Sequence, residues 1–173
     1  MKDYYEQSLG DRFTTIVNKF ENNNALIYPN KVKIKYGELN NLADKICLFL
    51  QSAKLNDESL ILISGDKSIM MFAVIIASLK SGHVYSVYNP DSPSKKFQEI
   101  FKVCNPDLVI TSNSLHSLEN SFNYQVVSYM QLSREIQEYQ GDVFPINKVV
   151  SSQLAYIMFT SGSTGTPKGV MIT

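Results

Sequence analysis

SLILISGDKSIMMFAVIIASLKSG, residues 59–82, is the stretch that decides the architecture. Its first six residues form a near-continuous apolar run of the length and β-branched character of a strand buried on both faces. A short polar turn follows, and then a helical segment that is apolar on most of its sides, ended by Gly82 at the position where a left-handed residue closes a helix. Strand, loop and interior helix in that order make one α/β unit, which requires a parallel partner strand.

That partner follows at once as VYSVY, residues 84–88. In Asn89-Pro90-Asp91-Ser92-Pro93, Ser92 can cap and Pro93 can open the next helix. Phe97, Ile100, Phe101 and Cys104 recur at helical spacing and line its inner face. Asn105-Pro106 ends it, DLVIT (107–111) is a compact strand, and a further strand is predicted over residues 125–129. Residues 131–152 are polar and weakly periodic, which predicts a short helix and then a surface connection. LAYIMF (154–159) reads as a buried strand, and GVMIT (169–173) as another.

Toward the N-terminus, Leu9, Phe13, Ile16, Val17 and Phe20 predict an amphipathic helix within residues 4–20. ALIY (25–28) and KVKIKY (31–36) predict a hairpin joined by the two-residue turn Pro29-Asn30, although that pair is not the favoured one. Residues 37–53 carry an apolar stripe of Leu39, Leu42, Ala43, Ile46, Phe49 and Leu50. The expected fold is α/β: a mainly parallel sheet flanked by helices, with an N-terminal helix and β-hairpin.

The 173 residues are 44% hydrophobic and 18% charged, within the range of folded soluble domains. Sixteen basic residues balance sixteen acidic ones, so the chain lacks the long-range positive field that draws proteins to nucleic acid or anionic membranes. The alternation in KVKIK fits an edge strand with one solvated face. Cys47 and Cys104 sit in apolar helical patterns without metal-ligand spacing and read as core thiols. The opening MKDYYEQSLGDRF has no apolar run of a signal peptide, and residues 69–77 are too few for a membrane helix, so a cytoplasmic location without membrane partners is expected.

TSGSTGTPKG, residues 160–169, supplies five hydroxyl side chains before its proline, three glycines and one cation. Glycine lets backbone N–H groups approach an anion, hydroxyls add donors and Lys168 adds a compact charge, so the composition suits phosphate. A plain Gly/Ser/Thr connection has the same residue types. Its position directly after an apolar strand favours the anion site. The GxxxxGK[ST] loop is excluded, because counting from Gly162 places Pro167 at its second glycine and Gly169 after the lysine. The glycine spacing also fails the dinucleotide pattern GxGxxG.

With its flanks, LAYIMFTSGSTGTPKGVMIT resembles the signature phosphate-binding motif of the adenylate-forming, or AMP-binding, superfamily. IKYGELN (34–40) and LKSGHVYSVYNPDSP (79–93) resemble two upstream motifs of that family, in order, so the resemblance covers nearly the whole chain. The second is most similar to amino-acid adenylation domains of non-ribosomal peptide synthetases, departing from their pattern at His83, Ser86, Val87 and Asn89. The resemblance implies an α/β fold in which residues 1–173 are the N-terminal portion of an adenylation domain, ending just after the phosphate-binding loop.

It further implies ATP and Mg²⁺ as cofactors, activation of an amino acid or other carboxylic acid as acyl-AMP, and transfer to a phosphopantetheine carrier protein or coenzyme A. An acyl-CoA synthetase fragment and a non-catalytic folding or interaction product stay open beside it. By resemblance, Thr160, Ser161, Ser163 and Thr164 contact phosphate together with the backbone of Gly162 and Gly165, and Lys168 positions the loop or meets pyrophosphate. No catalytic residue and no metal ligand is expected within the chain, which is therefore expected to be inactive alone and to self-associate through uncovered apolar surface. His83 reads as a turn or core residue, His116 as a surface one, and Tyr36 and Glu38 as structural.

Overall fold

The computed structural model describes residues 7–92, 94–112, 124–138, 149–160 and 167–173. Eight strands and five helices are assigned among them, in the order α1 (Leu9–Phe20), β1 (Asn24–Ile27), β2 (Lys33–Lys35), α2 (Tyr36–Ser52), β3 (Leu60–Ser64), α3 (Ile69–Ser81), β4 (Val84–Tyr88), α4 (Ser94–Cys104), β5 (Leu108–Thr111), β6 (Gln125–Ser128), α5 (Tyr129–Glu135), β7 (Tyr156–Thr160) and β8 (Lys168–Ile172). Six strands form one sheet in the order β6-β5-β3-β4-β7-β8, and β1 and β2 form a separate antiparallel pair. Every neighbouring pair of the large sheet is parallel except β7 with β8.

Alternation along β3 and β5 divides the core. Ile61, Ile63, Leu108 and Ile110 point into a layer with Ile46, Leu50, Val74 and Ala77 of α2 and α3 and Leu132 of α5. Leu62 and Val109 point the other way, onto Phe97 and Phe101 of α4 and onto Tyr88. Both strands are thus buried on both faces, which is why they read as unbroken apolar runs. Helix α1 lies outside α2 and α3, with Phe13 against the first layer. A Cβ on Gly10 would stand 2.8 Å from the Leu79 carbonyl, so the two backbones approach closely there. The Lys80–Asp44 ion pair, with Lys80 Nζ also donating to Asn40 Oδ1 at 3.0 Å, joins α3 to α2.

Serine caps start α1, α3 and α5: Ser8, Ser68 and Ser128 accept from Asp11, Met71 and Gln131 amides at 3.0–3.1 Å. Helix α3 stops at Gly82, whose φ of +71° lets its own N–H and that of His83 both reach the Ser78 carbonyl. Glu38 accepts from the Lys35 amide at 2.8 Å and holds the start of α2, and Tyr36 is the first residue of that helix.

Three expectations are corrected. The hairpin does not turn on two residues. Pro29 has a φ suited to a type I turn, so the Lys31 N–H closes on the Tyr28 carbonyl at 2.9 Å and Lys31 takes a left-handed φ of +66° before β2 starts. Strand β7 is not buried: Met158 is 59% exposed, and Tyr156, Ile157 and Phe159 are only partly covered. Helix α5 begins at Tyr129, inside the predicted strand, because Ser128 caps it there. Pro93 and His116 lie outside the described residues.

Candidate functional site

Strands β3, β4 and β7 run parallel, so their carboxyl ends open on one edge of the sheet. The crossover through α3 moves from β3 to β4, and the next, through α4, moves back past β3 to β5. Crossovers that reverse direction leave a crevice at the carboxyl edge between the two strands, the usual ligand position in open α/β sheets. Here it is an open crevice of about 670 Å³ lined by Gly65, Asp66, Lys67, Asn89, Pro90, Asp91 and Ser112. In the sequence, residues 89–93 read as a helix entry and as the end of a family-like motif, not as the lining of a crevice. The signal for the crevice was the pair of polar turns after two successive apolar strands, but the reversal of strand order is not visible in one sequence.

A hydrogen-bonded floor underlies this edge. Tyr129 donates to the Ser64 carbonyl at 2.7 Å, Tyr88 and Thr111 share a hydroxyl hydrogen bond of 2.8 Å, and Ser64 and Ser112 share one of 2.9 Å. Burial pushes the Tyr129 and Tyr88 phenols above the ordinary tyrosine range, so both keep their protons near neutrality. The Gly65 amide donates to the Tyr88 carbonyl at 2.7 Å, tying the turn after β3 to the end of β4.

The sequence-predicted phosphate-binding stretch leaves the sheet at this same edge. Thr160 ends β7, Lys168 begins β8, and the two are register partners, with Thr160 Oγ1 donating to the Lys168 carbonyl at 3.5 Å. The hairpin therefore brings together the first and last of the predicted site residues. Ser161, Gly162, Ser163, Thr164 and Gly165 lie outside the described residues. Lys168 is exposed and forms no ion pair among the described residues. Ser86 Oγ donates to the Ile157 carbonyl at 2.8 Å, and Tyr85 stacks on Tyr156 at 5.4 Å, which seats the hairpin against β4.

His83 precedes β4 at the opposite edge of the sheet. It is buried, its Nδ1 has no hydrogen-bond partner among the described residues, and burial pulls its pKa below the usual imidazole value against the opposing charges of Asp57 and Asp107. It belongs to the helix-ending turn after α3. Cys47 is fully buried and Cys104 half-buried; both are free thiols, pushed up by burial to about 11 and about 12, which makes them inert core residues. No helix among the described residues is long and apolar enough to cross a membrane.

A mainly parallel sheet that carries its glycine- and hydroxyl-rich segment inside an antiparallel edge hairpin, rather than at the start of a helix, defines an α/β protein of the adenylate-forming type. The chain belongs to the AMP-binding enzyme family, whose sequence pattern matches residues 13–173. It is 33% identical over 164 residues to the non-ribosomal peptide synthetase agiA of Aspergillus flavus and 30% identical over 169 residues to gramicidin S synthase 1 of Brevibacillus brevis. Those matches take in 84% and 96% of this chain but 2% and 15% of the relatives. Among solved structures, the N-terminal subdomain of Klebsiella oxytoca NpsA bound to 3-hydroxybenzoyl-AMSN superposes with a TM-score of 0.82 at 25% identity, over 95% of this chain and 40% of that one. VinN in complex with 3-methylaspartate shares the fold, with a TM-score of 0.87 at 21% identity over 96% of this chain and 47% of that one.

Proposed function

We propose that these residues form the phosphate-binding portion of a site that activates an amino acid, or a related carboxylic acid, as its acyl-adenylate. The observation that carries this reading is the β7–β8 hairpin, which sets Thr160 beside Lys168 at the carboxyl edge of the sheet, bracketing the segment that matches the family motif. In this reaction a carboxylate oxygen bonds to the α-phosphorus of ATP and the bond to the pyrophosphate oxygen breaks, leaving acyl-AMP and pyrophosphate. Charge grows on the departing pyrophosphate, so fixed donors and a cation close to it lower the barrier.

In this reading the hydroxyls of Thr160, Ser161, Ser163 and Thr164 and the amides of Gly162 and Gly165 donate to phosphate oxygens. Lys168, one strand across from Thr160, neutralises the β- and γ-phosphates. Magnesium, which binds nucleotides through phosphate oxygens and one or two carboxylates, is assigned no ligand and no step here. The chain spans 40% of the NpsA subdomain, and no acid-selecting pocket or nucleoside contact is assigned to its residues. The likeness to peptide synthetases, and to an artificially fused NpsA–ThdA adenylation–PCP di-domain, supports a carrier-protein thiol as acceptor.

Positioning chemistry loses most of its effect when half of the contacts are missing. The 173-residue chain is accordingly expected to bind pyrophosphate weakly and to give no amino-acid-dependent ATP–pyrophosphate exchange. Titration with pyrophosphate should show an affinity that falls several-fold in Lys168→Ala. Equal affinity in the two proteins overturns the phosphate-binding assignment, whereas clear exchange above the Lys168→Ala control overturns only the incompleteness of the site.

A further inference from the structure

We infer that Ser86 is a positioning residue for the phosphate contacts proposed at Thr160 and Lys168, its hydroxyl fixing where the β7–β8 hairpin stands against β4; this rests on the phosphate reading above. Ser86 is one of the positions at which the second motif departs from the amino-acid adenylation pattern, and it is 1% exposed although its side chain is polar. A buried hydroxyl needs a partner, and this one donates to the Ile157 carbonyl of β7 at 2.8 Å. The bond stands where the ladder between the two strands stops. Strands β3 and β4 pair over five residues, whereas β4 and β7 pair only at Tyr85 with Tyr156, where the Tyr85 amide donates to the Ala155 carbonyl at 3.2 Å. A parallel ladder carried one step further would bring the Val87 amide onto the Ile157 carbonyl. The Ser86 hydroxyl takes that carbonyl instead, and no register pair joins the two strands between there and Thr160.

Packing carries the position of Ile157 on to the next strand. Its side chain lies against Gly169, where an added Cβ would stand 2.9 Å from Ile157 Cγ2. Gly169 follows Lys168 and is the register partner of Phe159, which precedes Thr160. Ser86 therefore holds the backbone of Ile157, and Ile157 abuts the backbone beside Lys168, in one line across β4, β7 and β8. Contacts this close pass a displacement on rather than absorb it. Without the hydroxyl, the Ile157 carbonyl loses its donor from β4, and Thr160 and Lys168 lose a fixed position relative to the rest of the sheet.

Pyrophosphate titration of the 173-residue chain, with native-state hydrogen exchange beside it, tests this. Ser86→Ala should weaken pyrophosphate binding several-fold and speed exchange of the β7 and β8 amides by more than those of β3 and β5. Ser86→Thr, which keeps the hydroxyl, should restore both. A hydroxyl that serves stability alone would lower the thermal midpoint of Ser86→Ala and leave the affinity of the folded chain intact. That result, with Lys168→Ala still weakening binding, overturns the role of Ser86 and leaves the phosphate reading standing. Unchanged binding in Lys168→Ala overturns the phosphate reading, and the role of Ser86 falls with it. A folded Ser86→Thr that binds as weakly as Ser86→Ala traces the effect to packing and also overturns the proposal. Should Ser86→Ala not fold, Ser86→Cys, close in size but a weak donor, takes its place with the same outcomes.

Discussion

Tyr129 shows at the level of one residue how the carboxyl edge is kept in order. Its ring lies in the core and its hydroxyl satisfies the Ser64 carbonyl at the end of β3. Removing that donor leaves a buried carbonyl unpaired, so Tyr129→Phe should cost about 1–3 kcal/mol in urea unfolding. The same burial makes the phenol hold its proton in the folded chain at pH values where the unfolded chain releases it. The folded state then binds more protons, so stability must fall as pH rises above about 10, where free tyrosine ionises. Stability measured from pH 8 to 11 should decline less steeply in Tyr129→Phe; an unchanged slope would show that the buried phenols Tyr85 and Tyr88, not Tyr129, govern the loss.

Among the elements, α3 is the clearest case of pattern dictating place. It is apolar on most sides because it is packed between the sheet and α1 and α2, and it can end sharply only because Gly82 accepts a left-handed backbone. Gly82→Ala should destabilise the chain by about 1–2 kcal/mol through that φ alone, read as a lowered thermal midpoint without change in helix content. The strands and helices between residues 36 and 111 were legible because each buries an unbroken or regularly spaced apolar set. The exposure of β7 was not, since Ile157, Met158 and Phe159 read the same whether a helix or only β8 lies beyond them. The turn after Tyr28 was misjudged for a local reason: Pro29 cannot take the positive φ that a two-residue hairpin turn asks of its first position. In the site, the resemblance of residues 160–169 to the family motif could be read from the sequence, and the pairing of Thr160 with Lys168 follows from the hairpin. The crevice beside Gly65 and Asn89 could not be read, because it arises from strand order.

For the whole molecule the two core layers set a hierarchy of stability. β3 and β5 are covered on both faces, whereas β7 and β8 are largely open on the described surface. Native-state hydrogen exchange should therefore find the amides of β3 and β5 released only by global unfolding, and those of β7 and β8 released earlier through local opening. Uniform protection across all six strands would contradict this. The seam that fastens the hairpin is short: a single register pair, Tyr85 with Tyr156, supported by the stacked rings and the Ser86 hydroxyl. The four residue steps from Tyr156 to Thr160 reach about 13 Å beyond such a pivot. The hairpin thus has the proportions of a lever, whose fulcrum is a pair of tyrosines and whose far end carries Thr160 and Lys168, so a slight tilt at Tyr85 is magnified where those two residues stand.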